Sequence, residues 1–534
     1  MIQVRRLSFD WQIGPWLLSA VLGGLIAYDS TQGVIGFLLV ASGIGLYLFF
    51  HNLSDERRLC LILAVLPLVV TVAFLIAGDW SRVVAKLPGL SSAFGLLASF
   101  QPNLGFVINS NTVGGVLAML IPLQVGALRG RSRAIQGVSL GLSLTGLVLS
   151  ASRGAWLALI LTAVMTLLWR ETVRRTNSQH KARVIWLAVV GLGALMLITG
   201  LGLTPIGDRL LGLGGDRPAI WKNSVDLLED YAMTGFGFGT FEMAYSTYTL
   251  LTHVGHTLHA HNLWLNVWFD QGLLGVLALA GLTLVAVWPR ASASSWRLVS
   301  LAAISVVLIH GLYDDAFYGY GGAGIPLLLV PIGLATRPSA GQTAAAIELP
   351  LNRRVHPALV MWGVSILVIA ALAFISQGRA AIEANLGAVN QTRMELSAYH
   401  WPEIPIQDIL RVDHGVELST AIEQFNKAIA LDPMNATANR RLGQIELARK
   451  DYNAACTHLR RAYSASPNQR ATRQLLGECY ALAGDWDQTA RLWGSIDLSQ
   501  SQLVGRLWWY DTYLAAPDQA RQIKHAAELL NIEP

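Results

Sequence analysis

Charged residues are scarce in this chain. Only 14% of the 534 residues are Asp, Glu, Lys or Arg, whereas 53% are hydrophobic and the mean hydropathy is +0.45. A typical soluble domain carries about 25% charged residues, so this balance excludes an ordinary soluble globule for the first two thirds of the chain. The net charge of +5 does not indicate a nucleic-acid partner, because many of the cations lie in short loops between apolar runs.

Cysteine is also scarce. The chain has three, Cys60, Cys456 and Cys479, which form neither an even disulfide framework nor a metal-binding spacing. We interpret all three as packing residues. A cleavable signal peptide is not expected, because further apolar runs follow the first one and no small-residue cleavage site is evident.

Long apolar runs, in contrast, are abundant. Crossing a hydrocarbon core about 30 Å thick takes about 20 helical residues, and eleven runs meet or approach this length. They are residues 13–28, 33–50, 59–77, 112–128, 135–151, 154–169, 184–203, 262–288, 297–312, 321–336 and 357–376. The piece 87–100 is shorter and more broken, and we expect it to be interfacial or re-entrant. The prediction is an all-α protein, a polytopic transmembrane helix bundle of about eleven spans.

The positions of Lys and Arg orient this bundle, because both residues favour the cytoplasmic ends of spans. If Arg5 and Arg6 lie inside, most positive loops alternate as this rule requires. Arg153 and Arg217 then fall on the outer side. Four histidines fall there too: His253, His256, His259 and His261. Cations that the rule does not explain indicate function.

After the eleventh span, which ends outside, the composition changes to that of a soluble helical array. Several residue types recur 34 positions apart, among them Pro433 and Pro467, and the Leu-Gly pairs at 442–443 and 476–477. This period resembles the tetratricopeptide repeat. We therefore expect a membrane domain at 1–376, a linker at 377–413 and a soluble α-helical repeat domain at 414–534. Such arrays bind protein segments in a concave groove, and a structural cap on the membrane domain is the other interpretation.

Three motifs resemble the O-antigen ligase and polymerase family of bacterial membrane glycosyltransferases: SASRGAWLAL at 150–159, GDRPAIW at 215–221 and HAHN at 259–262. The resemblance covers residues 90–335 and includes a span entry with Asn109 and Asn111. It implies a large extracytoplasmic loop at 204–261. It also implies transfer of a glycan from an undecaprenyl-diphosphate carrier to an acceptor hydroxyl, in the bacterial cytoplasmic (inner) membrane, by an inverting reaction without a metal or other cofactor.

The resemblance also implies roles for three residues. His261 aligns with the catalytic base, and a histidine titrates near neutral pH. Arg153 and Arg217 would bind the donor diphosphate, since guanidinium stays charged and holds phosphate oxygens in a bidentate fork. Other interpretations stay open: Arg153 could snorkel to the interface, Arg217 could pair within the loop, and His259 could replace His261 as the base.

Further residues are candidates for support. Trp221 follows Arg217, and Asn262 follows His261 at the start of a span. Asp314 lies in an outer polar cluster with His310, Tyr313 and Asp315, which could bind sugar hydroxyls or form an ordinary interfacial turn. We expect no metal at the four loop histidines, because their spacing fits no zinc pattern and neither a cysteine nor a nearby carboxylate completes a site. The glycines of TGFGFGTF at 234–241 indicate a flexible loop section.

The acceptor is not specified by these motifs. It could be a lipid A core, another lipid-linked repeat or a protein side chain. Two other function classes remain for comparison: a small-anion transporter of the bicarbonate type, and a non-catalytic membrane anchor that displays the repeat domain to a protein partner.

Overall fold

The structure is a computed structural model that describes most of the chain. The described ranges are residues 13–86, 106–129, 133–176, 217–288, 296–318, 324–338, 374–412 and 416–532, with isolated residues at 89, 92, 95, 99, 363, 367 and 371. Within these ranges the regular structure is helical.

Ten apolar helices among the described residues of the N-terminal part form one bundle. Five are long and apolar enough to cross a membrane: α2 (Ser30–Asn52), α3 (Glu56–Ala77), α5 (Ser110–Ala127), α7 (Arg153–Thr176) and α10 (Leu263–Val287). The others are shorter: α1 (Gly14–Ile26), α6 (Arg133–Leu149), α11 (Arg297–Tyr313) and the pair α12 (Ile325–Leu328) and α13 (Val330–Thr336). The short helix α4 (Trp80–Lys86) follows α3.

The apolar helices confirm the prediction of a multi-pass membrane protein. Large apolar side chains such as Leu38, Leu61 and Val138 are more than half exposed on the outer surface of the bundle, as expected for a surface that faces lipid. The predicted span 184–203 and most of 357–376 lie outside the described residues, so the total of eleven stays a prediction.

Helix α5 lies at the centre of the bundle and contacts α3, α6, α7 and α11. Its glycines permit this close packing, since a Cβ atom at Gly114 would lie 2.5 Å from Cβ of Ser152. Small residues let helix backbones approach in this way. The contact holds the turn that precedes α7, and with it the start of the SxSRGA motif.

The C-terminal part is a layered array of helices: α14 (Ser376–Ala398), α15 (Asp408–Val412), α16 (Ser419–Leu431), α17 (Ala436–Ala448), α18 (Tyr452–Ala465), α19 (Arg470–Leu482), α20 (Trp486–Trp493), α21 (Gln500–Trp508) and α22 (Pro517–Leu529). Helices α17 and α19, and likewise α18 and α20, begin at equivalent positions of the 34-residue period. The tetratricopeptide assignment stays a prediction. The segment 377–413, which we predicted as a linker, contains α14 and α15, and α14 packs along α16.

Two cysteines differ from the sequence interpretation. Cys456 on α18 and Cys479 on α19 form a disulfide with a Cα–Cα distance of 5.6 Å. Their 23-residue separation gave no recognisable framework, but the two helices pack side by side and bring the thiols together. Our interpretation of these two as packing residues was wrong, whereas Cys60 is free and buried.

The repeat domain packs directly on the polar loop, of which 217–261 is described. Helix α8 (Arg217–Tyr231) ends one residue after Asp230, whose buried carboxylate pairs with Arg440 and Arg441 of α17. The short helix α9 (Phe241–Tyr245) follows in the loop. Farther along the loop, Arg470 donates to the backbone carbonyls of residues 249 and 250, at 3.1 and 3.0 Å. Loop and repeats therefore lie on the same side of the bundle.

The glycine-rich section of the loop is closely packed. Gly235 and Gly237 have φ values of 66° and 90°, and a Cβ atom at Gly235 would lie 2.2 Å from the carbonyl oxygen of Phe269. The amide of Phe236 donates to that same carbonyl at 2.8 Å. Only glycine combines this backbone conformation with so little space, so the glycines, which we expected in a flexible section, join the loop to α10.

Candidate functional site

The predicted site residues meet at the C-terminal end of α11. Asp314, the residue that follows this helix, accepts from Arg217 Nη2 at 2.9 Å through Oδ2. Its Oδ1 lies 3.3 Å from Nδ1 of His261. The side-chain amide of Asn111 at the start of α5 donates to Oδ2 at 2.7 Å. One carboxylate thus joins α5, α8 and the entry to α10.

Asp314 is buried, with 4% of its surface exposed. Burial alone would raise the pKa of this carboxyl, but the hydrogen bond from His261 and the charge of Arg217 outweigh it and hold the pKa well below its usual value. The carboxylate is therefore ionised throughout the physiological pH range.

The backbone around His261 fixes the orientation of its ring. His261 has φ 51°, a left-handed conformation that is uncommon outside glycine. Asn262 caps α10 by accepting from the amides of residues 264 and 265, while its own amide donates to the carbonyl of Leu312 at 3.0 Å. With Nδ1 directed at Asp314, Nε2 of His261 is the nitrogen left to act on another group. The side chain is 25% exposed.

His259 differs from His261 in both burial and hydrogen bonding. Its Nδ1 accepts from the backbone amide of His261 at 3.2 Å, and the two rings lie 4.2 Å apart in an edge-on arrangement. Burial and the nearby His261 lower the pKa of His259 to about 3. His259 is thus a neutral acceptor that supports the turn.

Arg217 begins α8 and lies against Tyr313. Its guanidinium carbon is 4.2 Å from the centre of the Tyr313 ring, and Nη1 donates to the Tyr313 carbonyl at 3.3 Å. Trp221, one helical turn along α8, meets the same ring edge-on at 6.4 Å. A cation over an aromatic face is attracted to it, so Tyr313 and Trp221 orient Arg217 toward Asp314.

Arg153 is exposed at the first position of α7. Ser150 and Ser152 before it are buried, and Ala151 between them has φ 49°. Arg153 is close enough to Tyr313 for its charge to act on that side chain. Gly154, the next residue, packs against the Tyr313 ring, so this ring lies near both predicted arginines.

Lys86 is a site residue that the sequence analysis missed. Its Nζ donates to Asn111 Oδ1 at 2.6 Å and to Ser110 Oγ at 2.9 Å, which connects it through Asn111 to Asp314. Burial lowers the pKa of Lys86 to about 8. The charge rule that selected Arg153 and Arg217 could have found it, because Lys86 also follows a span that the Lys and Arg pattern predicts to end outside.

Two other members of the polar cluster, His310 within α11 and Asp315 after it, are buried. His310 is 1% exposed and packs against Gly115 and Gly154. Asp315 accepts from the amides of residues 317 and 318 at 3.0 and 2.7 Å, and Asn266 donates to it. Among the described residues, no group of three His, Cys, Asp or Glu side chains could hold a metal ion.

The arrangement of these side chains suits a reaction in which a hydroxyl loses its proton and an anionic group leaves. An imidazole oriented by a buried carboxylate can take a proton from a hydroxyl. Beside it, the cations Arg153, Arg217 and Lys86 suit an anionic group that gains charge as it leaves.

Comparison with known proteins identifies one family. Residues 138–280 match the family model described as O-antigen ligase. The matched stretch contains Arg153, Arg217 and His261, whereas Lys86 and Asp314 lie outside it. No curated protein matches, and no solved structure does. The chain is thus a multi-pass membrane protein with a region similar to the O-antigen ligases, which supports a glycosyltransferase of that general type.

Proposed function

We propose that this protein transfers a glycan from an undecaprenyl-diphosphate carrier to an acceptor hydroxyl at the outer face of the bacterial inner membrane. The observation that carries the proposal is the shared carboxylate of Asp314. It contacts His261, the predicted base, and Arg217, a predicted donor ligand, at 3.3 and 2.9 Å. The same carboxylate thus holds the predicted base and a predicted anion-binding group next to each other.

In the proposed reaction His261 is the general base. Nδ1 donates to Asp314, so Nε2 takes the proton from the acceptor hydroxyl. The hydroxyl oxygen forms a bond to the anomeric carbon from the face opposite the diphosphate, and the configuration inverts. Asp314 stabilises the imidazolium that results, and a positioned base of this kind typically contributes about 10²- to 10⁴-fold to the rate.

The cations act on the leaving group. The bond between the anomeric carbon and the diphosphate oxygen breaks, and its electron pair leaves with the polyprenyl diphosphate. Arg217 and Arg153 bind the phosphate oxygens, and Lys86 adds a third charge. No metal or other cofactor is part of the proposed step. The mechanism applies equally to a lipid, glycan or protein acceptor.

The outer location has independent support. The repeat domain packs on the same loop that carries Arg217 and His261, so the two share one side of the membrane. The disulfide between Cys456 and Cys479 favours an oxidising compartment, since such bonds are rare in the cytosol. Both observations agree with the outward orientation predicted from the Lys and Arg pattern.

The test compares variants in a host that lacks the native gene. We expect His261→Ala and Arg217→Ala to abolish mature surface glycan while lipid-diphosphate-linked chains accumulate. Asp314→Asn should lower transfer by about 10²-fold or more, because the ring loses its charged partner. Immunoblots of membrane fractions check that each variant is present in normal amount.

Matched controls lie in the same loop. His256 and Lys222 are exposed, and His256→Ala and Lys222→Ala should retain normal glycan. If His261→Ala and Arg217→Ala also restore normal glycan, this loop performs no glycan transfer, and the transporter and anchor hypotheses take its place.

A further inference from the structure

A groove with two exposed tryptophans lies where the loop meets the repeat domain. Its walls are residues 251–254 of the loop, the turn at 401–406 and helix α21, and its volume is about 410 Å³. This is within the range of about 300–1,000 Å³ typical of ligand sites. Trp401 is 59% exposed and Trp508 is 36% exposed. We call this feature the two-tryptophan groove.

The lining has a distinctive chemistry. Apart from His253, none of the residues that line it is ionisable. Its polar members are Thr252, His253, Ser501 and Gln502. The Gln502 amide is held by Leu250 and Ser499, whereas hydroxyls such as those of Thr252 and Ser501 can exchange hydrogen bonds with sugar hydroxyls without requiring a charge. The rest of the lining is apolar and includes Leu251, Val254, Pro405, Ile406 and Val504. Indole rings offer broad, rigid apolar faces with one polar edge. Aromatic faces next to neutral hydrogen-bonding groups fit sugar rings, whose C–H faces are apolar and whose rims carry hydroxyls.

His253 shows that the groove has a fixed polar floor. Its Nδ1 is bonded to Gln407, and its backbone carbonyl accepts from the hydroxyl of Tyr399. Nε2 would lie only 3.3 Å from a Cβ atom at Gly505, so the glycine lets α21 come close to the ring. Burial lowers the pKa of His253, which keeps the imidazole neutral near pH 7.

Other occupants fit less well. An anionic lipid headgroup or a nucleic acid requires Lys or Arg, and the groove lining has neither. A protein segment would be expected on the polar face of α17 and α19. That face is filled by the chain's own loop, through Asp230 and the carbonyls of residues 249 and 250.

A short stretch of the chain connects the groove to the candidate site. Residues 251–254 form the wall of the groove, and the same backbone runs on through His259 to His261. We propose that the two-tryptophan groove binds the glycan chain of the lipid-linked donor; this inference rests on the proposed function. The donor carries a glycan whatever the acceptor is, and that chain has to extend from the diphosphate across the neighbouring outer surface.

The experiment measures binding without transfer. Full-length His261→Ala protein in lipid nanodiscs is titrated with the oligosaccharide that mild acid releases from the lipid-linked pool of the deletion host. We expect Trp401→Ala combined with Trp508→Ala to weaken binding by about tenfold or more, as loss of buried aromatic anchors does. The double Phe variant should retain most of the affinity, which separates stacking from misfolding.

Trp486 offers a matched control. It is also 36% exposed and lies on α20, where it meets the ring of His525, outside the groove. Trp486→Ala should leave binding unchanged.

Two results would overturn the proposal. One is equal affinity for the oligosaccharide with and without the two tryptophans. The other is quenching of Trp401 and Trp508 fluorescence by brominated lipid in the absence of glycan binding, which would make the groove a membrane contact. Tryptophan-dependent binding combined with normal transfer by His261→Ala would instead support the groove and refute the catalytic proposal.

Discussion

Asp314 holds two partners through the two oxygens of one carboxylate. Arg217 occupies Oδ2 and His261 lies at Oδ1. In the proposed mechanism Arg217 turns its donors to the diphosphate, and the carboxylate remains to stabilise the imidazolium of His261. In this proposed mechanism, donor binding and base function are coupled through a single buried side chain.

Lys86 gives the site a specific pH dependence. Burial lowers its pKa from 10.5 to about 8, so the ammonium is charged below about pH 8 and neutral above it. We expect the donor KM to rise several-fold between about pH 7 and about pH 9, as one cation is lost. Lys86→Arg should remove this rise, because guanidinium stays protonated. The measurement is the donor KM across this pH range in purified protein.

Lys222→Arg is the control for that experiment, because Lys222 is exposed on α8. It should keep the wild-type pH profile. An unchanged alkaline rise in Lys86→Arg would show that another group titrates.

Individual site residues were predictable only where a local pattern marked them. Arg217 and His261 were selected by their motifs and by the rarity of outer cations. Asp314 was only a supporting candidate, since its partners Asn111, Arg217 and His261 lie 203, 97 and 53 residues away. Contacts between residues so far apart leave no periodic pattern in one sequence.

At the scale of elements, α8 links the candidate site to the repeat domain. Arg217 is its first residue, and Asp230 near its other end pairs with Arg440 and Arg441, all at 0–1% exposure. A buried ion pair that loses one partner leaves an uncompensated charge. The repeat domain therefore fixes the helix that positions Arg217.

We expect Asp230→Ala to lower the free energy of unfolding by about 3–5 kcal/mol, because two buried guanidiniums lose their carboxylate. The donor KM should rise more than kcat falls, since α8 no longer holds Arg217 firmly. Thermal unfolding in detergent and limited proteolysis of the loop measure the first effect, and transfer kinetics measure the second.

The exposed pair Glu423 and Lys427 on α16 provides the comparison. Glu423→Ala should change neither the unfolding midpoint nor the kinetics, since exposed pairs contribute little. If Asp230→Ala behaves in the same way, the buried cluster does not position α8.

Most helices of the membrane part were predicted from hydropathy, because an apolar segment in lipid has to satisfy its own backbone hydrogen bonds and therefore forms a helix. The helix α14 was missed for the opposite reason. Its stretch is polar and alanine-rich, and Ala380, Ala384 and Ala388 become buried only because α14 packs against α16, α8 and α17. Hydropathy does not detect a helix that becomes buried against a neighbouring helix.

At the scale of the whole molecule, the 34-residue period predicted a helical array. It did not predict which surface of the protein this array packs against. In the structure, the loop packs on the polar face of that array. The contacts are made by arginines that look like ordinary surface charges in the sequence. Arg440, Arg441 and Arg470 are each at most 5% exposed. This favours a structural cap over a free protein-binding groove, and it leaves the two-tryptophan groove as the open surface beside the loop.

Because the repeat domain packs on the loop, an experiment that locates the C-terminus relative to the membrane also locates the loop. The loop and the repeats share one side, and the disulfide between Cys456 and Cys479 belongs in an oxidising compartment. We expect alkaline phosphatase fused to the C-terminus to be active and a green fluorescent protein fused there to be dark. Both cysteines should react with maleimide only after reduction.

A truncated fusion after residue 176 is the internal reference, because the Lys and Arg pattern predicts that position to be cytoplasmic. There the phosphatase should be inactive and the fluorescent protein bright. A fluorescent C-terminal fusion would put the loop in the cytoplasm as well, since Asp230 and Arg441 bind the two together. His261 and Arg217 would then face away from the outer leaflet, and transfer at the outer face would be impossible for this chain.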